Sequence, residues 1–145
     1  MAAAWPTLRE SAPGRMAIRA RTSAASRAPL DRLRSICIGL PEVTERLSHG
    51  TPTWFVRGKS SFVTLWADGH HEHQFPHLWC AAPPGAQAEL TASAPGRFFR
   101  PPYVGGRGWI GGRLDRDPDW AEIAELCPDA YRTIAPARLI AQLDS

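Results

Sequence analysis

The sequence predicts one α+β domain: an antiparallel sheet of about five strands packed by helices on one side. Three observations lead there. The chain has 145 residues, which suits one core and strains to hold two. Short runs of period two are interspersed with longer runs of helical period. The links between the strand-like runs are mostly of hairpin length, which joins strands antiparallel.

Residues 1–28 are rich in Ala, Ser, Arg and Pro and lack a sustained period. They are expected to form a disordered basic extension, and their Arg- and Ser-rich, acid-poor makeup also resembles an organellar transit peptide. The domain proper is expected over residues 29–145. Leu30, Leu33, Cys37 and Leu40 share one helical face with Ile36 beside it. Pro29 suits a first helical turn, and Gly39 with Pro41 ends the helix. From Pro52 to Gly69 the chain reads as a hairpin. Trp54 and Val56, then Phe62, Thr64 and Trp66, alternate about the turn Arg57-Gly58-Lys59-Ser60.

"HLWCAA", from His77, is a third strand, and "PPGAQAELTASAP" is a short helix opened by Pro83-Pro84 and closed at Pro95. "RFFRPPYV" and "GWIGGRL" supply two more extended segments. The last helix begins near Asp117, a candidate N-cap, with Pro118 in its first position. Trp120, Ile123, Leu126 (or Cys127), Ala130 and Ile134 form its apolar face, and Pro128 should kink or split it. The predicted order is α-β-β-β-α-β-β-α.

The net charge is +3, yet residues 1–28 hold five arginines against one acid, so the remainder is slightly acidic. A domain that is basic throughout is excluded, although local basic patches are not. Cys37, Cys80 and Cys127 lie far apart without a C-x-x-C, which fits small buried thiols in the cytoplasm rather than a disulfide framework. No apolar run approaches the ~20 residues of a membrane helix.

Gly106, Gly108 and Gly111 spell G-x-G-x-x-G, the dinucleotide fingerprint. That chemistry needs a helix opening directly after the glycines to receive a pyrophosphate. Here "WIGGRLDRDPDW" follows, a strand and a turn, so the context fails. Gly105 and Gly106 are expected to permit positive φ in a tight turn. Gly111 and Gly112 are expected to permit a bulge or a close backbone approach.

Phe98-Phe99-x-Pro101-Pro102-Tyr103-Val104-Gly105 followed by Gly108-Trp109 resembles the MmcQ/YjbR family of small bacterial proteins. "DWAEIAELCPDAYRTIAPARL" and the earlier "SHGTPTWFVRGKSSFVTL" are similar to it as well, and together they cover roughly residues 29–143. The resemblance implies a single α+β domain with an antiparallel sheet. It also implies DNA binding, by analogy with a "double-wing" domain, and it brings no catalytic residues. Ser60-Ser61, Gly112 and Pro128 depart from the family's pattern.

The leading functional expectation is therefore a non-catalytic nucleic-acid-binding module: a monomer with DNA as partner, no cofactor and no membrane. Arg97, Arg100, Arg107, Arg113 and Arg116 face only Asp115 in the span 97–116, interleaved with Phe98, Phe99, Tyr103 and Trp109. Arg57, Lys59, Arg100 and Arg107 would bind phosphate, and Trp109 would stack on a base if exposed. The expectation depends on these arginines sharing one solvent face rather than pairing with the acidic last helix.

Two alternatives stand beside it. Trp54, Trp66, Trp79 and Trp109 are many for so small a domain, and an exposed one could anchor a protein partner. A small-molecule-binding protein or enzyme could use His49 as a general base beside Asp68 or Glu45. No G-x-S-x-G, H-E-x-x-H or P-loop occurs, and an enzyme is not expected. "HHEHQFPH" offers His71, His73 and His77 as weak candidate metal ligands, although a short His-rich tract is only a compositional signal and no metal is expected.

Overall fold

The computed structural model describes residues 17–145, with side chains from Ala28 onward. Residues 1–16 of the expected extension lie outside it. The first helix, α1, spans Ala17–Ile38 with Pro29 inside it, rather than opening at Pro29. The preceding stretch from Ala17 to Ala28 contains neither Gly nor Pro and is rich in Ala and Arg, so nothing in it breaks a helix. The helix stops one residue before Gly39, as expected. Leu33, Cys37 and Leu40 are buried.

Four strands follow: β1 (Val43–Ser48), β2 (Thr51–Val56), β3 (Ser60–Trp66) and β4 (His77–Cys80). Helix α2 (Ala86–Ser93) leads to β5 (Phe98–Phe99), and a 3-10 turn (Gly105–Arg107) leads to β6 (Ile110–Arg113). Helices α3 (Trp120–Ile134) and α4 (Ala137–Asp144) close the chain. The strands form a six-stranded antiparallel sheet ordered β1-β2-β3-β4-β6-β5. The strand beyond the expected five is β1. Its "VTERLS" has no apolar alternation, because it is an edge strand with largely solvent-facing side chains.

The last helical stretch differs from expectation in two ways. Asp119, not Asp117, is the N-cap of α3, accepting from the amides of Ala121 (3.1 Å) and Glu122 (3.2 Å). Pro128 lies within α3, and the break falls at Ala135, whose ψ of 152° is the extended geometry required before Pro136. Trp120, Ile123, Cys127, Ala130 and Tyr131 are buried. Tyr131, absent from the expected face, meets Phe62 edge-on and donates to the Pro41 carbonyl at 2.7 Å.

The sheet has two unlike faces. Trp54, Val63, Cys80 and Ile110 stand in register across β2, β3, β4 and β6, in the core with α1 and α3. Thr53, Thr64, Trp79 and Gly111 form the neighbouring row, with side chains on the opposite face. On the far side of the Trp54 row β3 carries a bulge: Trp54 faces Val63 and Phe55 faces Ser61, leaving Phe62 as the extra residue. The bulge changes the phase of the strand. Phe62 reaches Tyr131 on the helical side, whereas Thr64 and Trp66 belong to the open side, although all three alternate in sequence.

The glycines of the G-x-G-x-x-G run have separate structural causes. Gly108 closes the 3-10 turn at φ 88°, so the positive φ expected at Gly105 or Gly106 falls there instead. Gly111 is a close approach, not a bulge: a Cβ there would overlap the ring of Phe99, its partner across β5 and β6.

A tryptophan-walled pocket on the open sheet face

The open face carries a cavity of about 610 Å³. Trp66 from β3, Trp79 from β4 and Trp109 just before β6 make its aromatic wall. Strand pairing brings them together, since β3, β4 and β6 are neighbours in the sheet despite 43 residues separating the first from the last. The rings of Trp66 and Trp79 lie 5.1 Å apart. Thr53, Ser61 and Thr64 add hydroxyls from β2 and β3, and Ser48 with His49 adds the β1–β2 turn. His70 and His71 enter from the β3–β4 loop, and Tyr103, Val104 and Arg107 from the β5–β6 loop.

The rim is held in unusual backbone geometry. His49 (φ 54°), His71 (φ 48°) and Tyr103 (φ 66°) are all left-handed without being glycine, and all line the cavity. Tyr103 is 76% exposed, with its ring about 6 Å from those of His70 and His71. His70 lies against Trp66 (4.1 Å) and Trp79 (5.0 Å). Burial first, then the neighbouring His71 and His73, lower its pKa, which disfavours a charge on the ring.

Beside the pocket, a second ring cluster covers the β4–β6–β5 end of the same face. His73 stacks on Phe99 at 4.1 Å, and His77 lies 5.3 Å from Phe99 and 5.4 Å from Phe75. His77 is fully buried, and its Nδ1 donates to the Phe75 carbonyl at 2.7 Å. Nε2 has no partner. Burial pushes the pKa of His77 down to about 4, against a smaller upward pull from that backbone bond. The candidate metal ligands are thus divided: His71 is on the pocket rim, His73 on Phe99, and His77 beneath. Among the described residues no group of three or more His, Cys, Asp or Glu is arranged to hold a metal ion.

The residues expected to bind nucleic acid do not share one face. Arg57 sits at the β2–β3 turn, paired with Glu42 at 3.1 Å, and Lys59 is in the same turn. Arg97 is paired with Glu122 of α3 at 2.7 Å. Arg113 is paired with Asp115 at 2.7 Å and lies over the ring of Phe75. Arg100 packs against Gly105 and donates to Gln87 at 3.3 Å. Of the expected cations Arg107 alone lines the pocket, its guanidinium 5.3 Å from the Trp109 ring centre. Trp109 is 5% exposed, a wall of the cavity rather than a free stacking platform.

His49 lies on the rim, but its two expected partners do not join it. Glu45 accepts from Arg34 in a bidentate pair at 2.8 Å and from Trp54 Nε1 at 3.2 Å. Its carboxyl is accordingly held below the usual range, mainly by Arg34. Asp68 is exposed and outside the lining. The sequence reading missed the hydroxyls of Ser48, Thr53, Ser61 and Thr64 as site residues. Their one local signal is Thr64 standing two positions before Trp66, which puts a small polar group beside a large ring on one face.

A family model described as YjbR matches residues 38–133. A crystal structure of the Deinococcus radiodurans protein DR2400, described as a DUF419 domain, is similar in fold. Its TM-score is 0.63 at 17% identity, covering 79% of this chain and 87% of that one. No curated protein matches the chain significantly.

Proposed function

The chain belongs to the YjbR family, and we propose that it works as a binding module for a small molecule with a flat ring, held in the pocket on the open sheet face. The observation that carries this reading is the rim. Three non-glycine residues, His49, His71 and Tyr103, have left-handed backbones around a cavity walled by Trp66, Trp79 and Trp109. Such conformations cost about 1–3 kcal/mol each and cluster at ligand clamps. The cavity volume falls in the usual range for small-molecule sites, and indole walls favour flat ligands.

DNA binding, the family's usual description, has less support in this chain. Arg57, Arg97 and Arg113 are engaged by carboxylates, which leaves no broad basic surface among the expected residues. The form of that reading compatible with the pocket is one unpaired base inserted between the tryptophans, with its phosphate toward Arg107. Binding rather than catalysis is proposed, since of the two carboxylates expected to orient His49, Glu45 is tied to Arg34 and Asp68 lies outside the lining. With its cysteines buried and free among the described residues, the cytoplasm is the proposed location.

The test is a titration of the whole protein with 2-naphthol, a neutral flat probe, followed by tryptophan emission and ligand-detected NMR. Saturable binding that is weakened in Trp66→Ala supports the reading. Absence of saturation at millimolar probe would overturn it. A short single-stranded DNA that displaces the probe would favour base insertion.

A further inference from the structure

Resting on the ring-ligand reading, we infer that the ligand of this pocket also carries one anionic group, a carboxylate or a phosphate monoester, seated on Arg107. Among the described residues the lining of the cavity contains no Asp or Glu, and Arg107 is its one Arg or Lys. Other cations of the domain have carboxylates to hold: Arg57 has Glu42, Arg97 has Glu122 and Arg113 has Asp115. Among the described residues no carboxylate pairs with Arg107, whose guanidinium is positioned over Trp109. A guanidinium fork that is pre-positioned by an aromatic face and unpaired matches a carboxylate or phosphate in two-point geometry.

Sheet order gives the pocket a direction. Thr53, Ser61 and Thr64 belong to β2 and β3, while Trp109 and Arg107 adjoin β6, on the other side of β4. The anion therefore sits at the β6 side, the ring lies along Trp79, and the hydroxyls meet the ring's far polar edge. Burial between Trp66 and Trp79 disfavours a charge on His70, in the middle of the wall.

Three matched probes test this on the whole protein at low salt: 2-naphthol, 2-naphthoate and 2-naphthyl phosphate, titrated by calorimetry. At least one anionic probe should bind about tenfold tighter than 2-naphthol, with a preference that shrinks as salt rises. Whichever anion binds tighter names the group. Arg107→Gln should erase the preference, read as the ratio of anionic to 2-naphthol affinity within the variant, and Arg107→Lys should retain part of it. Arg107 is exposed, so neither change disturbs the core. Equal binding of neutral and anionic probes, or a preference that survives Arg107→Gln, overturns the inference and leaves the ring-ligand reading intact. Failure of all three probes removes both.

Discussion

The ring of Phe99 fills the space that a side chain on Gly111 would need. The two residues are direct cross-strand partners on β5 and β6, and His73 stacks on that ring with centres 4.1 Å apart. Gly111→Ala should therefore cost about 1–3 kcal/mol of stability, the usual range for overpacking a filled site. In a Phe99→Ala background the same change should be near neutral, since the space is then vacant. Urea denaturation of the four proteins of this cycle measures the coupling. An equal cost in both backgrounds would show that Gly111 is needed for its backbone and not for Phe99.

Acid should destabilise the protein through His77. Its imidazole is buried and neutral, with a folded pKa of about 4 against an ordinary value of 6.5. The unfolded chain takes up the proton first as pH falls, so the stability contributed by this group is complete above pH 6.5. It is lost progressively between pH 6.5 and 4, and the shift corresponds to about 3 kcal/mol as an upper figure. Melting temperatures recorded across that window should fall more steeply in the parent protein than in His77→Phe. Parallel curves would assign the acid sensitivity elsewhere.

Tyr131 ties α3 to the turn between α1 and β1. Its hydroxyl donates to the Pro41 carbonyl at 2.7 Å, across 90 residues of chain. Tyr131→Phe keeps the edge-on contact with Phe62 and removes only the hydrogen bond. The expected loss is about 1 kcal/mol, read as a lower denaturation midpoint with an unchanged slope. A variant as stable as the parent would mean that water replaces the bond without penalty.

Local pattern carried the fold further than it carried the site. The apolar periods of α1 and α3, the β2–β3 hairpin and the failure of the glycine motif were all legible from neighbours in sequence. β1 was not, because an edge strand such as "VTERLS" has little need for alternation. The phase of β3 was hidden by the bulge at Phe62, which places Thr64 and Trp66 on the face opposite to the ring two residues before. Trp66, Trp79 and Trp109 were visible only as a surplus of tryptophan. Their convergence depends on β6 pairing with β4, a long-range event that no window of sequence contains. The arginines between 97 and 116 read as one patch because they are close in the chain. Their separation follows from Arg97 turning toward α3 and Arg107 toward the pocket.

Tyr103 offers a direct contest between stability and binding. Its φ of 66° costs a bulky residue about 1 kcal/mol or more relative to glycine, and its ring, 76% exposed, recovers little of this by burial. If the conformation is kept in order to hold the ring over the cavity, Tyr103→Gly should raise stability by about 0.5–1 kcal/mol, after allowing for the freer unfolded chain. The same change should weaken 2-naphthol binding by roughly three- to tenfold, the worth of one aromatic contact. Denaturation midpoints and probe titrations on this one variant read both effects. Greater stability with full binding would make Tyr103 a bystander on the rim, and the left-handed geometry there would need another cause.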